Sequence, residues 1–567
     1  MTMIRRDALD PITVEVVRNK LEGIANEMES TLLRSSFSPI VKEGLDASAS
    51  LFTIQGETLA QAIAIPIHLA TMIPILGKIL ETWPIGTMQD GDIYVMNDPY
   101  LGGTHLPDLA FVMPIFSEGK PIAFSATMTH HQDVGGMTPG SIPTNATEIF
   151  QEGLRVPPLK FHDRGVPNET LIAMLRLNSR IPDTFMGDIN AQVAACKAGA
   201  RRLQALSGRY GAENLTSIFD NLLDRSETMT REALLSIPDG VYEYEDWLDN
   251  DGIELDKPIR IAVRVTVEAD SFHVDFKGTS SQVRGPFNCV PSGSRAAIYY
   301  AVRAVTDVNI PTNGGCFRPV SFETPEGSIV NPMEPAAVNS RTATIKRVTG
   351  CILGALREAL PERIPADHAG EMLALMFGGK HKNGTPYVVG ELIAGGSGAG
   401  PELDGVDVIE TDATNCMNMP IEAFELDAPV RLHRASLRAD SGGPGRRRGG
   451  LGTIREYEIL HGPVVFTHRG ERHFFQAQGA RGGRQGASAI STIIRADGRE
   501  ETIASKLVTE LQTGDRVIIQ TAGGGGFGPP DERAPECVQA DLDNGKVTPE
   551  TARKHYRSPD RLKTASV

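Results

Sequence analysis

Three histidines and two aspartates fall within 29 residues of this 567-residue chain: His105 and Asp108 in NDPYLGGTHLPD, then His130, His131 and Asp133 in THHQDVGG. Imidazoles and carboxylates at this density are the groups that hold a divalent cation or move protons. Between them runs LAFVMPIFSEGKPIAFSATM, two alternating, β-branched-rich stretches around Glu118-Gly119, the pattern of a β-hairpin. Pairing about that turn makes facing residue numbers sum to about 237, which sets His130 beside 107 and His131 beside 106. Both then come within side-chain reach of His105 and Asp108. Adjacent strand residues face opposite sides, so one of His130 and His131 ligates and the other orients it or contacts substrate; a slip of one residue exchanges them. Nitrogen and oxygen ligation without sulfur admits zinc, manganese, iron or cobalt. Glycine pairs flanking the two groups let the backbone approach a site closely. Asp46, at the entrance to a strand, is a candidate fourth ligand that spacing alone does not select.

The surrounding chain must hold these residues. Asp10-Pro11 reads as an N-cap and first turn, and Val14, Val17, Leu21, Ile24, Met28 and Leu32 continue a long amphipathic helix that ends before Pro39. A short hairpin turning at Gln55-Gly56 follows, with Asp46 at its entry, and GDIYVMNDP reads as a strand feeding the central motif. A Pro/Gly/Thr-rich loop and FQEGLRVPPLKF lead into helices through about Leu206, one of them with the small-residue spacing of close packing, and then into a helix over Ala212–Leu235. After Gly240, IRIAVRVTVEADSFHVDFKG is a hairpin around Ala-Asp-Ser, and SGSRAAIYYAVRAVTD and TATIKRVTGCILGALREAL are helices. Short strands and glycine-rich loops fill the chain beyond Pro361. The expected class is α+β, multi-domain, with mainly antiparallel sheets and a β-rich C-terminal part. The divisions expected are 1–239 around the metal site, 240–360 mixed, 361–530 β-rich, and 531–567 a peripheral charged helical tail.

A net charge of −15 argues against a nucleic-acid backbone or an anionic membrane as partner. Six scattered cysteines with no CxxC pair fit a reducing cytoplasm, and MTMIRRDALD has no apolar stretch behind its basic residues to make a signal peptide. Thr58–Gly77 is uncharged and long enough to span a bilayer, but Gln61, Pro66, His68 and Pro74 read it instead as a proline-interrupted core segment.

Three motifs imitate catalytic signatures. Asp440-Ser441-Gly442-Gly443-Pro444 resembles a serine-protease nucleophile but lacks a partner histidine in context, so a glycine turn is expected. Gly523, Gly525 and Gly528 match GxGxxG, yet Pro529-Pro530 forbids the helix that motif opens. Gly395-Gly396-Ser397-Gly398-Ala399 approaches GxSxG and reads as a flexible loop near the site. Arg446, Arg447 and Arg448 read as a solvated turn.

NDPYLGGTHLPD, THHQDVGG, FQEGLRVPP, DSGGPGRRRGGLG and TAGGGGFGPP, in this order from about Asp10 to Pro530, resemble the hydantoinase B/oxoprolinase family. The resemblance implies a metal-holding B subunit of an ATP-dependent enzyme acting on a hydantoin, oxoproline or lactam. It also implies a hetero-oligomer with an A-type ATPase subunit that uses ATP to phosphorylate the amide oxygen. By similarity the metal ligands map onto Asp46, His105, Asp108 and His130, with His131 and Asp133 as candidate catalytic or substrate-facing residues that relay a proton. A cation there lowers the pKa of a bound water toward ~7 for attack on the activated carbon. Alanine at His105 or Asp108 is expected to remove metal and turnover while leaving the fold intact. Alternatives are a subunit of an acetone/acetophenone-type carboxylase and a non-catalytic scaffold for the A subunit.

Overall fold

The structure, a computed structural model, describes residues 10–62 and 65–556. The segment read for a signal peptide and the end of the charged tail fall, wholly or in large part, outside those residues. Helix α1 (Pro11–Ser35) begins where the Asp10 carboxylate accepts hydrogen bonds from the Ile12 and Thr13 amides. A single turn, α2 (Pro39–Lys42), leads to the hairpin of β1 (Ala47–Phe52) and β2 (Thr58–Gln61). Next come α3 (Pro66–Thr82), β3 (Ile93–Met96), β4 (Asp108–Ser117), β5 (Lys120–His130), β6 (Leu159–Asp163) and β7 (Val166–Pro167). The strands form one antiparallel sheet, ordered β2-β1-β5-β4-β3-β6-β7. Helices α4 (Glu169–Leu177), α5 (Pro182–Tyr210) and α6 (Ala212–Leu234) follow.

Both faces of this sheet are covered. Leu109, Phe111, Met113 and Ile115 of β4 share a core with α1 and α5, whereas Ala110 and Val112 face Met72, Ile75 and Ile79 of α3. That double burial is why the hairpin strands are apolar almost throughout. The uncharged Thr58–Gly77 run is β2 and most of α3, with Pro74 inside the helix. Among the described residues, no helix is long and apolar enough to cross a membrane. The small-residue face of α5 packs closely on α1: a Cβ at Gly199 would lie 2.3 Å from the Met28 sulfur.

The hairpin forms about Glu118-Gly119, both at positive φ as the tight turn requires. Its register differs from the expected one. A bulge between Ile115 and Phe116 shifts the pairing, so that His130 lies opposite Asp108 and not opposite 107. The extra residue is on β5, where Ile122 has no partner, and a bulge of this kind has no side-chain signature.

A second sheet, ordered β11-β10-β9-β8, comprises β8 (Gly240–Leu248), β9 (Ile259–Glu268), β10 (Ser271–Asp275) and β11 (Val320–Glu323). Helices α7 (Pro291–Val305) and α8 (Arg341–Leu356) share its core, which includes Ile261, Val265, Phe272, Ile298 and Val348. The remaining strands are β12 (Met372–Lys380), β13 (Pro386–Ala394), β14 (Val430–Leu437), β15 (Thr453–Ile459), β16 (Val464–Arg469), β17 (Ile490–Ile494), β18 (Glu500–Thr502), β19 (Lys506–Leu511) and β20 (Arg516–Gln520). They build two antiparallel sheets, β13-β12-β16-β19 and β14-β15-β20-β17-β18, around Phe377, Tyr457, Phe466 and Ile519. The protein is α+β with mainly antiparallel sheets.

The glycine motifs are neither isolated turns nor a flexible loop. They interlock into one backbone bundle around Gly523–Gly526. An added Cβ would meet the carbonyl of Ser441 from Gly523 (1.8 Å), of Ser397 from Gly524 (1.9 Å), of Gln478 from Gly525 (2.1 Å) and of Pro444 from Gly526 (2.4 Å). Gly523 and Gly526, three residues apart, both meet the 441–444 segment, the spacing of a chain with three residues per turn. Backbone bonds join the segments, among them Gly396 N to Ala522 O, Gly443 N to Gly524 O, Ala399 N to Gly525 O and Gly526 N to Arg484 O. Ser441 donates to Arg438 O and accepts from Gly452 N, a turn-closing role. The described part of the tail is also docked: buried Arg533 bridges Asp404 and Asp541, and Thr548 binds Asp440.

Candidate functional site

Gly102 (φ 118°) and Gly103 turn the chain tightly before the histidine motif; a Cβ on Gly103 would lie 2.5 Å from Asn97 O. That turn delivers His105 beside the start of β4. Asp108 opens β4, and His130 closes β5 directly opposite it. His105 Nε2 lies 2.8 Å from Asp108 Oδ1 and 3.2 Å from His130 Nδ1, and His130 Nδ1 lies 3.3 Å from Asp108 Oδ1. These three donor atoms form a compact triangle from residues that are buried or nearly so.

Both ring nitrogens of His105 face acceptors: Nδ1 the Asn339 carbonyl at 3.1 Å and Nε2 Asp108 Oδ1 at 2.8 Å. Burial first, and then Arg341, push the His105 pKa down to about 3 against the pull of Asp108, so the ring is neutral. With its one proton on Nδ1, the Nε2 lone pair points at a carboxylate oxygen, an arrangement a shared cation would satisfy. First-row divalent ions with ligands at ~2.0–2.2 Å place their donors about 3.0–3.5 Å apart, close to the observed edges. The donor set fits such an ion.

Asp108 organises its neighbours. Oδ2 accepts from Thr104 Oγ1 at 2.7 Å and from Arg341 Nη2 at 2.7 Å. Burial alone would raise its pKa, but His105, Arg341 and His68 outweigh this and hold the carboxyl well below its ordinary range. The Asn339 carbonyl is fixed in turn from FQEGLRVPP, where Oε1 of the Glu152 carboxyl group accepts from the amides of Val338 and Asn339. A ligating imidazole held by a carbonyl that is itself anchored is the usual support of a metal site.

Asp46 lies beside this triangle rather than in it. Its carbonyl accepts from the His130 amide, and its Oδ1 lies 3.5 Å from His68 Nε2. His68 is buried, touches Ser48 Oγ at 3.0 Å through Nδ1, and sets Nε2 3.8 Å from Asp108 Oδ2. Burial lowers its pKa against the pull of both carboxylates. Sequence reasoning met His68 only as an obstacle to a membrane span. A single histidine in a 20-residue uncharged run was the available signal.

His131 and Asp133 are not brought to this group. His131 turns to the other side of β5, bonds the Gln192 side chain on α5 at 2.9 Å and packs edge-on against Phe185. Asp133 is enclosed by the amides of Gly135, Gly140 and Arg180 and by the Arg180 guanidinium at 2.8 Å, a loop anchor with both oxygens engaged.

A cavity of about 30 Å³ adjoins the triangle. Asp46, His68, His105 and His130 line one side. Ile65, Ile67, Ile142, Met372, Met376 and Leu392 make an apolar wall, and Arg341, Thr342, Thr414, Cys416 and Arg469 complete it. It admits water-sized groups, well short of the ~300 Å³ of a ligand pocket.

The sequence pattern of the hydantoinase B/oxoprolinase family matches residues 10–530. A protein of Pseudomonas sp. (strain NS671), named as the B subunit of a putative D-/L-hydantoinase, is 34% identical over 97% of this chain and 95% of its own length. 5-Oxoprolinase 1 of Arabidopsis thaliana is 33% identical over 93% of this chain, which spans 42% of that longer protein. The crystal structure of ATP-dependent caprolactamase from Pseudomonas jessenii superimposes with a TM-score of 0.89 at 31% identity, covering 98% of both chains. An acetone carboxylase structure has the same fold, with a TM-score of 0.89 at 20% identity over 97% of this chain and 79% of its own. The chain belongs to the hydantoinase B/oxoprolinase family.

Proposed function

We propose that this protein is the cation-holding subunit of an ATP-dependent enzyme that opens the ring amide of a cyclic amide: a hydantoin, oxoproline or lactam. The observation carrying this reading is the convergence of His105 Nε2, Asp108 Oδ1 and His130 Nδ1. Asp46 completes the ligand set, and His68 joins it as a fifth polar group facing both carboxylates. A zinc, manganese, iron or cobalt ion held by these residues would supply Lewis acidity. The chain's own part is to fix His105 through Asn339, to keep Asp108 ionised through Arg341, and to exclude bulk water with the isoleucine and methionine wall. His68 Nε2, 3.5 Å from Asp46 and 3.8 Å from Asp108 with its pKa lowered by burial, is the proton acceptor that faces both carboxylates. His131 and Asp133 serve as supports that set β5 and the following loop.

Ring amides resist hydrolysis through resonance, and phosphorylation of the carbonyl oxygen turns it into a leaving group. That step belongs to an A-type ATPase subunit, in keeping with the B-subunit name of the Pseudomonas relative. The likeness to acetone carboxylase is one of fold, so the amide reading is preferred over carboxylation.

Co-expression with the A-type subunit, followed by a screen of cyclic amides with ATP, tests the reading. Ring opening is expected to need ATP but not bicarbonate, and His105→Ala is expected to lose both bound metal and turnover. Full turnover by metal-free His105→Ala would refute the reading, and a bicarbonate requirement would transfer the protein to the carboxylases.

A further inference from the structure

Arg469 closes β16 and sits opposite Ala374 of β12, whose Met372, Ala374 and Met376 face the cavity beside the histidine triangle. Its residue is 5% exposed and lines that cavity. Among the described residues no carboxylate pairs with its guanidinium and none accepts a hydrogen bond from its side chain. Asp46, Glu410 and Glu471 act on it only through space, while burial and then Arg341 bring its pKa down to about 10. Elsewhere the buried guanidiniums meet carboxylates, as in Arg341 with Asp108, Arg347 with Asp246, Arg455 with Glu391 and Arg533 with Asp541. A buried cation without an anion is costly, and such a residue is retained for what it binds.

A second feature points to the same space. The first residues of α8, Arg341 and Thr342, line the cavity; the Arg341 and Ala343 amides are bonded to Val338 O and Ser340 O, so what this end offers an anion is its dipole. The amides of a 16-residue helix there favour negative charge. The charges agree: Asp46 and Asp108 balance Arg341 and Arg469, so a divalent cation on the histidine side leaves the walls at +2.

We infer that this cavity receives an oxyanion, held by the Arg469 guanidinium at the positive end of the α8 dipole, next to the cation site and across from the apolar wall. Its ligand is thus an aliphatic ring bearing a phosphoryl or carboxylate group, two sources of the same chemistry. The inference rests on the function proposed above for the ring that carries the anion, whereas the anion pocket stands on Arg469 and α8 alone. As the cavity stands it holds only water-sized groups, so Met372 and Met376, flexible side chains on the apolar side, give way as the anion and its ring enter.

Calorimetric titration of the full chain with inorganic phosphate and, separately, with sodium acetate tests this, with metal content measured on the same samples. Phosphate is expected to saturate one site per chain, and Arg469→Met is expected to weaken it at least ~10-fold, the loss of one charge-assisted contact. Metal content is expected to be unchanged and the melting temperature not lowered, since an unpaired buried charge is replaced by an apolar chain. A purely structural arginine would instead destabilise the protein on removal. Arg469→Lys, which keeps the charge and loses the planar fork, is expected to bind phosphate several-fold more weakly, and it decides the matter should the methionine variant not fold. Acetate binding in place of phosphate supports the pocket and assigns it to a substrate carboxylate. No binding of either anion, or undiminished binding in the variants, overturns the inference. A wild-type chain that binds phosphate through Arg469 but holds no metal and turns over no cyclic amide would leave this inference standing and remove the reading beneath it.

Discussion

Asp108 carries more than a place in a ligand set. Its Oδ2 takes the Arg341 guanidinium at 2.7 Å, and both side chains are out of solvent. Replacing it with asparagine keeps the shape and one acceptor oxygen but leaves the guanidinium without a counter-charge. Breaking one side of a buried ion pair costs about 3–5 kcal/mol, so Asp108→Asn is expected to destabilise even the chelator-treated protein by that amount. Alanine at this position is therefore not a clean metal-site variant, contrary to the expectation from sequence, whereas His105→Ala removes no charge. The assay is a cycle of urea unfolding midpoints for the wild type, Asp108→Asn, Arg341→Met and the double variant. Each single change is expected to lose several kcal/mol, and the double change to recover at least ~2 kcal/mol because neither charge is then stranded. A single variant as stable as the wild type, or a double no better than its parents, would refute the coupling. The pH dependence has a definite sign. The folded pKa of Asp108 is depressed, so its contribution is complete above the ordinary value of 3.8 and is lost only as pH falls through the folded value.

Glu152 gives the opposite slope. Burial raises its pKa from 4.5 to about 8 against the pull of the Asn339 and Val338 amides, so stability is fully present below pH 4.5 and is lost as pH rises toward 8, by at most ~1.4 kcal/mol per pH unit. Glu152→Gln is expected to flatten denaturation midpoints across that range; an unchanged slope would show that the carboxyl ionises freely. In the glycine bundle, Gly524→Ala would drive a Cβ to 1.9 Å from Ser397 O and is expected to prevent soluble expression. Gly23→Ala, in α1 with nothing within 4 Å, is expected to raise stability by about 1 kcal/mol, and equal behaviour of the two would sink the packing argument.

The hairpin was legible because strand alternation and a Glu-Gly turn are local signals, and because both ends carry the same rare chemistry. Its exact pairing was not, since the bulge at Ile115/Phe116 trades one backbone contact for another without changing the residue pattern. His68, Asn339, Arg341 and Arg469 escaped for a different reason. They reach the histidine triangle from α3, from the loop before α8, from α8 itself and from β16, and nothing in the sequence near each one refers to the others. Asp46 was selected only by resemblance, and its indirect position, facing His68, explains why spacing could not choose it. The glycine runs misled for a third reason: a residue prized for freedom in a loop is equally the one required where carbonyls leave no space for a side chain.

That bundle draws on chain near 367, 397, 443, 480 and 524, and its central thread comes last. During synthesis the earlier segments therefore emerge able to bond one another, while amides such as those of Gly396 and Gly443 lack the partners in the last thread. The strands β12, β13 and β16 can pair among themselves, but the glycine loops around them are locked only when residues 523–526 have been made. A message cut short before that point yields a polypeptide whose first sheet can form but whose final clasp is missing.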